Sequence, residues 1–155
     1  MRLSKNFTVS EFIKSQTASR KGIDNSMPGE HLESAQALAE NVLQKIRDEF
    51  GAVTVTSGYR SEALNEAIGG SNKSQHSKGE AADIEIMGKS NGELADWICM
   101  NLDFDQCILE FHTKGDPNSG WVHVSYTTRR KNRKQALTAT RGSDGKTKYD
   151  VGINY

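Results

Sequence analysis

The sequence predicts an α+β fold: a central, mostly antiparallel sheet with helices packed on one face. Three observations predict it. Helical periodicity dominates the first third of the chain. Alternating strand-like runs dominate the rest, with one amphipathic helix inserted. Two pairs of those runs are joined by turn-rich segments that read as antiparallel hairpins. A chain of 155 residues suits one domain, 1–155, with a single core.

Thr8-Val9-Ser10-Glu11 is a capping box, and Phe12 and Ile13 start a short helix behind it. A polar stretch then runs to Pro28, with Gly22, Asp24 and Asn25 as turn formers. From Pro28 to Phe50 apolar residues recur at helical spacing: Leu32, Ala35, Leu38, Ala39, Val42, Leu43, Ile46, Phe50. Gly51 stands where a C-cap glycine belongs. Val53 and Val55 alternate with Thr54 and Thr56, predicting a strand that ends near Ser57. Ser61 caps a short helix closed by Gly69-Gly70. A strand is expected over Ala82–Ile86, and Ser90-Asn91-Gly92-Glu93 is a second capping box opening the inserted helix. QCILEFH and WVHVSY read as paired strands around TKGDPNSG. QALTAT and KTKYDVGI, joined by Gly142-Ser143-Asp144-Gly145, read as a further hairpin over about 135–153. The basic run Thr127–Lys134 is expected to be a solvated connection, with contact to an anionic polymer as the lesser alternative.

Lys+Arg equals Asp+Glu, so the net charge is zero and no global attraction to nucleic acid is indicated. No run approaches the roughly 18 apolar residues of a membrane span, and the start lacks the apolar core of a signal peptide. Synthesis in the cytoplasm is therefore expected, and membrane insertion is not. Cys99 and Cys107, the only cysteines, are expected to be reduced core fillers.

The chemistry lies in SNKSQHSKGEAADIEI, Ser71 to Ile86. His76 is followed seven residues later by Asp83, with Gly79, Ala81 and Ala82 between them. Imidazole nitrogen and carboxylate oxygen suit zinc, and these two residues can supply two ligands. A third must come from elsewhere: His31, His112 or His123. His123 lies mid-strand between Val122 and Val124, where a polar ring needs a partner. Ser74, His76, Gly79, Ala81 and Asp83 together fit S-x-H-x-x-G-x-A-x-D, and a later W-x-H lies on a strand. Small residues at Gly79 and Ala81 let the loop fold tightly enough for His76 and Asp83 to converge.

With these motifs the sequence resembles the zinc peptidases that include D-alanyl-D-alanine carboxypeptidases, the D-Ala-D-Ala dipeptidases of vancomycin resistance and several phage endolysins. Hedgehog signalling domains share that fold. The resemblance runs from about Phe7 to Tyr126 and is closest to the short single-domain branch found in phage and prophage genomes. SGYRSEALNEAIGGSNKSQHSKGEAADIEI and FDQCILEFHTKGDPNSGWVHVSY carry it.

The resemblance implies a zinc site in an open cleft, with one Zn2+ per chain held by His76, Asp83 and His123. It implies that Arg60 sits beside the metal and stabilises a developing oxyanion. The reaction would be metal-assisted hydrolysis of an amide in a peptidoglycan stem or cross-link containing a D-amino acid. Many relatives place a catalytic glutamate three residues before the last histidine ligand, but that position is Gly120. The base must lie elsewhere. Glu110 is the first candidate, because its strand runs beside that of His123 and burial of an unpaired carboxylate is costly. An ion pair with Arg60 is its structural alternative, and Asp116 is the other candidate base. His112, Gln75, Tyr59 and Ser74 are candidates for orienting groups around the metal or for contacts to substrate, and His112 is equally expected as a solvent-facing strand end. A monomer is expected, acting on the wall after holin-type release or as part of a phage particle. The rival function is a zinc-containing wall-binding or phage structural module without catalysis, which Gly120 would permit.

Overall fold

The computed structural model describes Met1–Tyr155. Two short strands, β1 (Arg2–Ser4) and β2 (Phe7–Thr8), pair antiparallel at the start. Helix α1 (Val9–Ile13) begins at the predicted box: Thr8 Oγ1 accepts from the Glu11 amide, and the Glu11 carboxylate accepts from the Thr8 amide. The polar stretch that follows is not merely turns. It holds helix α2 (Gln16–Lys21), capped by Ser15 and ended by Gly22 in the left-handed region.

The long predicted helix is present in three pieces. Helix α3 (Gly29–Leu38) runs through a π-helical turn (Ala39–Leu43) into α4 (Gln44–Phe50). Strand β3 (Thr54–Ser57) and helix α5 (Glu62–Ala67) follow, then a 3-10 turn (Gln75–Lys78). Strand β4 is Ala81–Glu85, one residue earlier than expected at each end. Helix α6 (Asn91–Asn101) starts at Ser90, which caps the Glu93 amide. Strands β5 (Gln106–Glu110), β6 (Trp121–Ser125), β7 (Gln135–Arg141) and β8 (Thr147–Val151) complete the chain. No helix is long and apolar enough to cross a membrane.

Strands β3 to β8 form one six-stranded sheet in the order β3-β4-β6-β5-β7-β8. Every pairing is antiparallel except β5 with β7. The side-chain period of two divides the sheet into two faces. Ala82, Ile84, Cys107, Leu109, Val122 and Val124 point into the core, against Leu38, Val42, Leu43 and Ile46 of the long helix and Leu94, Ala95 and Ile98 of α6. All of these side chains are buried, each contributing about 1.5–3 kcal/mol for the larger aliphatic groups. The long helix and α6 therefore lie on one face, as the element order predicts, and the alternate residues of the strands are left to the other. Cys99 and Cys107 are unpaired thiols on the core side.

The basic connection between β6 and β7 is not simply solvated. Arg129 binds the Glu80 carboxylate through Nε and Nη2, both at 2.8 Å. Arg130 and Arg133 both bind Asp105, at 2.7 and 3.0 Å and at 3.0 and 2.8 Å. Glu80 and Asp105 are 1% and 0% exposed, so each needs such a partner to remain charged. Burial pushes both carboxyls up, but their arginine partners hold both below the usual carboxylate range. The segment is thus fastened to the body of the protein by its own charges.

Candidate metal centre

Adjacent strands bring the central side chains together. Asp83 on β4 is the direct cross-strand partner of His123 on β6, and His123 is also opposite Ile108 on β5. Glu110, two residues beyond Ile108, projects from the same face. His76 comes from the 3-10 turn just before β4. Ser74 Oγ caps that turn by accepting from the His76 amide at 3.2 Å, so Ser74 positions the histidine. The turn closes at Gly79, with φ 74° and no room for a Cβ against the His31 carbonyl.

His76, Asp83 and His123 each offer one ligand atom, and the three atoms lie within 4.8 Å of one another. His76 Nε2 is 3.3 Å from Asp83 Oδ1, and His123 Nδ1 is 3.2 Å from the same oxygen. Those separations suit one tetrahedral ion: bonds of about 2.0–2.1 Å span an edge of roughly 3.3 Å. The tautomer of His76 strengthens the fit. Its Nδ1–H donates to the Gly58 carbonyl at 2.7 Å, which leaves the Nε2 lone pair facing the carboxylate. Burial drives the ring toward its neutral form, against the pull of Asp83. Two acceptors at that distance call for a positive charge between them. Burial would raise the Asp83 carboxyl, but positive charge beside it, carried by the imidazoles when they are protonated, holds it well below the usual range. The donor set fits zinc: two neutral nitrogens and one carboxylate.

These groups line a cleft of about 630 Å3, together with Arg60, Glu110 and Trp121. His76 is closed off, with 3% of its side chain exposed, whereas Asp83, Glu110 and His123 keep 15%, 19% and 12%. A ligand entering the cleft therefore meets the last three. Glu110 Oε1 is 4.0 Å from His123 Nδ1. Burial raises the Glu110 carboxyl, and the nearby Asp83 charge adds to this, while His123, Trp121 and Arg60 oppose it. Trp121 Nε1 comes near the Glu110 carboxylate without reaching hydrogen-bond geometry. Arg60 is tethered by its backbone amide to the His76 carbonyl at 3.2 Å, and its Nε is buried without an acceptor.

Other candidates lie elsewhere. Tyr59 is turned away from the cleft: its side chain is buried and its hydroxyl meets His31 Nδ1 at 3.2 Å. His31 is thereby accounted for and does not join the metal group. His112 stands apart too, its Nδ1 3.3 Å from Ser119 Oγ and its ring against Tyr155. Strand alternation would have put His112 beside Glu110, but Phe111 takes φ 55°, which ends β5 and swings the next residue off the face. Asp116 is exposed in the β5–β6 loop, where its carboxylate accepts from the Asn118 amide at 3.2 Å. It is not among the cleft residues. Gln75 is, but its amide donates to Glu80 Oε1 and Asp105 Oδ2, at 3.2 and 3.1 Å. Lys73, Arg129, Arg130, Arg133 and Tyr149 also line the cleft, and the sequence argument gave none of them a place beside the metal. The signal for three of them was the basic run itself.

The sequence model of the Peptidase M15 family matches residues 5–125. No curated protein matches the chain.

Proposed function

We propose, from the premise that this chain belongs to the Peptidase M15 family, that it is a zinc-dependent hydrolase of amide bonds in peptidoglycan peptides, with Glu110 as its base. One observation carries the proposal. A partly desolvated carboxylate, Glu110, shares a cleft with a three-donor metal group and stands 4.0 Å from one of its members. That arrangement supports catalysis over a purely structural metal site, which would have no use for a base held at its edge.

His76, Asp83 and His123 would hold the ion. When bound, zinc supplies Lewis acidity toward water and toward a carbonyl oxygen. Glu110 accepts a proton from the attacking water at its carboxylate and returns it to the leaving nitrogen. Its raised proton affinity suits both halves of that task. Arg60 donates to the carbonyl oxygen as negative charge develops there, and the buried Nε without an acceptor is the kind of donor that such an oxygen would satisfy. The products are a free carboxyl group and a free amine.

The test is digestion of purified muropeptides by zinc-loaded and chelated protein, read by mass spectrometry. Zinc-dependent release of fragments that differ by one water supports the proposal and names the bond. Intact muropeptides in the presence of a fully zinc-loaded protein overturn it.

A further inference from the structure

Residues 127–155 lie beyond the matched range, yet they build one wall of the metal cleft. Arg129, Arg130 and Arg133 line it from the β6–β7 connection, Tyr149 lines it from β8, and Lys73 adds a charge from the loop before the 3-10 turn. We propose that this arginine wall is a carboxylate subsite, which takes a free carboxylate of the peptide held at the metal centre. The proposal rests on the peptidase function argued above.

The wall is built rather than incidental. Asp105, 0% exposed, receives Arg130, Arg133 and the Arg133 backbone amide, while Glu80 receives Arg129 and the Thr127 hydroxyl. Gln75 bridges the two carboxylates, and its neighbour in the chain is His76. The guanidinium groups are therefore locked before any ligand arrives, which reduces the entropic cost of binding. They also have capacity left. A guanidinium offers five N–H donors; Arg129 and Arg133 each commit Nε and one Nη2 donor to a buried carboxylate, leaving Nη1 free of protein partners, and Arg130 commits Nη1 and Nη2, leaving Nε free. The three side chains remain 51%, 40% and 46% exposed.

Charge gives the wall its preference. Its four cations face only two carboxylates, an excess of two positive charges. The metal group's side of the lining carries the carboxylates of Asp83 and Glu110, which repel a second carboxylate. A peptide bearing one free carboxylate is thus oriented with that group at the wall and an amide toward the metal group. Planar, bidentate pairing favours arginine for this purpose.

The experiment uses a stem pentapeptide ending in D-Ala-D-Ala, with its carboxyl groups free, and the same peptide with every carboxyl amidated. Binding to zinc-loaded Glu110→Gln protein is measured by calorimetry. The free acid should bind about tenfold or more tightly than the amide, the scale of one charge-assisted contact. The double variant Arg130→Gln/Lys73→Ala in the same background should lose most of that preference. Arg130 is chosen because Asp105 keeps Arg133 and a backbone amide, so folding should survive; unchanged zinc content and melting temperature check this. Equal affinities, no measurable binding of the free acid, or a preference that persists in the double variant each overturn the subsite. Failure of wild-type protein to cleave either peptide counts against the peptidase function alone, since the binding measurement still decides the subsite.

Discussion

The carbonyl oxygen of Glu110 fills the space that a Cβ on Gly120 would require. Gly120 has φ 69°, and the backbone of Phe111 and His112 closes in from the same side. The position three residues before His123 is therefore closed to any side chain, a glutamate included. Besides Asp83, the carboxylate that lines the cleft is that of Glu110, on the strand beside that of His123.

Gly120→Ala should accordingly lower stability by about 1–3 kcal/mol, from the positive φ and the blocked Cβ. Chemical denaturation would measure it. The double variant Glu110→Gln/Gly120→Glu should not regain activity, because the new side chain has no space to enter the cleft.

Glu110→Gln should retain zinc, as shown by metal analysis, while kcat falls by about 10²-fold or more, the range for losing a general base. Activity close to wild type would rule Glu110 out as the base.

His123→Ala should lose tight zinc binding. Wild-type protein should melt at a higher temperature with zinc than with a chelator, because the ion binds only the folded arrangement of donors. In His123→Ala that gap should close. A gap of undiminished size would mean that the stabilising ion sits elsewhere.

Asp105 should make the protein acid-sensitive in a definable way. Its folded-state carboxyl is held far below its unfolded value by Arg133 and Arg130, despite the opposing effect of burial. The resulting stability is present above the unfolded value of about 4 and is lost as pH falls from there toward the lower folded value. Melting temperatures across pH should show wild type falling steeply below about pH 4. Asp105→Asn should start lower at neutral pH and fall less over the same range.

How far the chain could be read in advance depended on whether the determining interactions were local. Thr8 with Glu11 and Ser90 with Glu93 are neighbours in sequence, so both helix starts were legible. Helix α2 was not, because its only buried residue is Ala18 and it has no apolar stripe to detect. His76 and Asp83 were legible as a pair because a turn closed by Gly79 brings them together within eight residues of chain, whereas His123, 40 residues further on, was chosen over His31 and His112 only through the family resemblance. The ion pairs of the basic run were not legible for the opposite reason: the carboxylates that engage it lie far off, Glu80 49 residues before Arg129 and Asp105 25 residues before Arg130. Which of its two expected places His112 takes is decided by a single backbone angle at Phe111, which no side-chain pattern announces.

Five basic side chains between Thr127 and Lys134 would mark that stretch, in an unfolded chain, as a preferred target for trypsin-like proteases. Three of them are clasped by Glu80 and Asp105 in the folded protein, so the backbone cannot extend into such an enzyme until those grips release. Resistance to tryptic nicking at this stretch is therefore a direct gauge of whether the cleft is assembled.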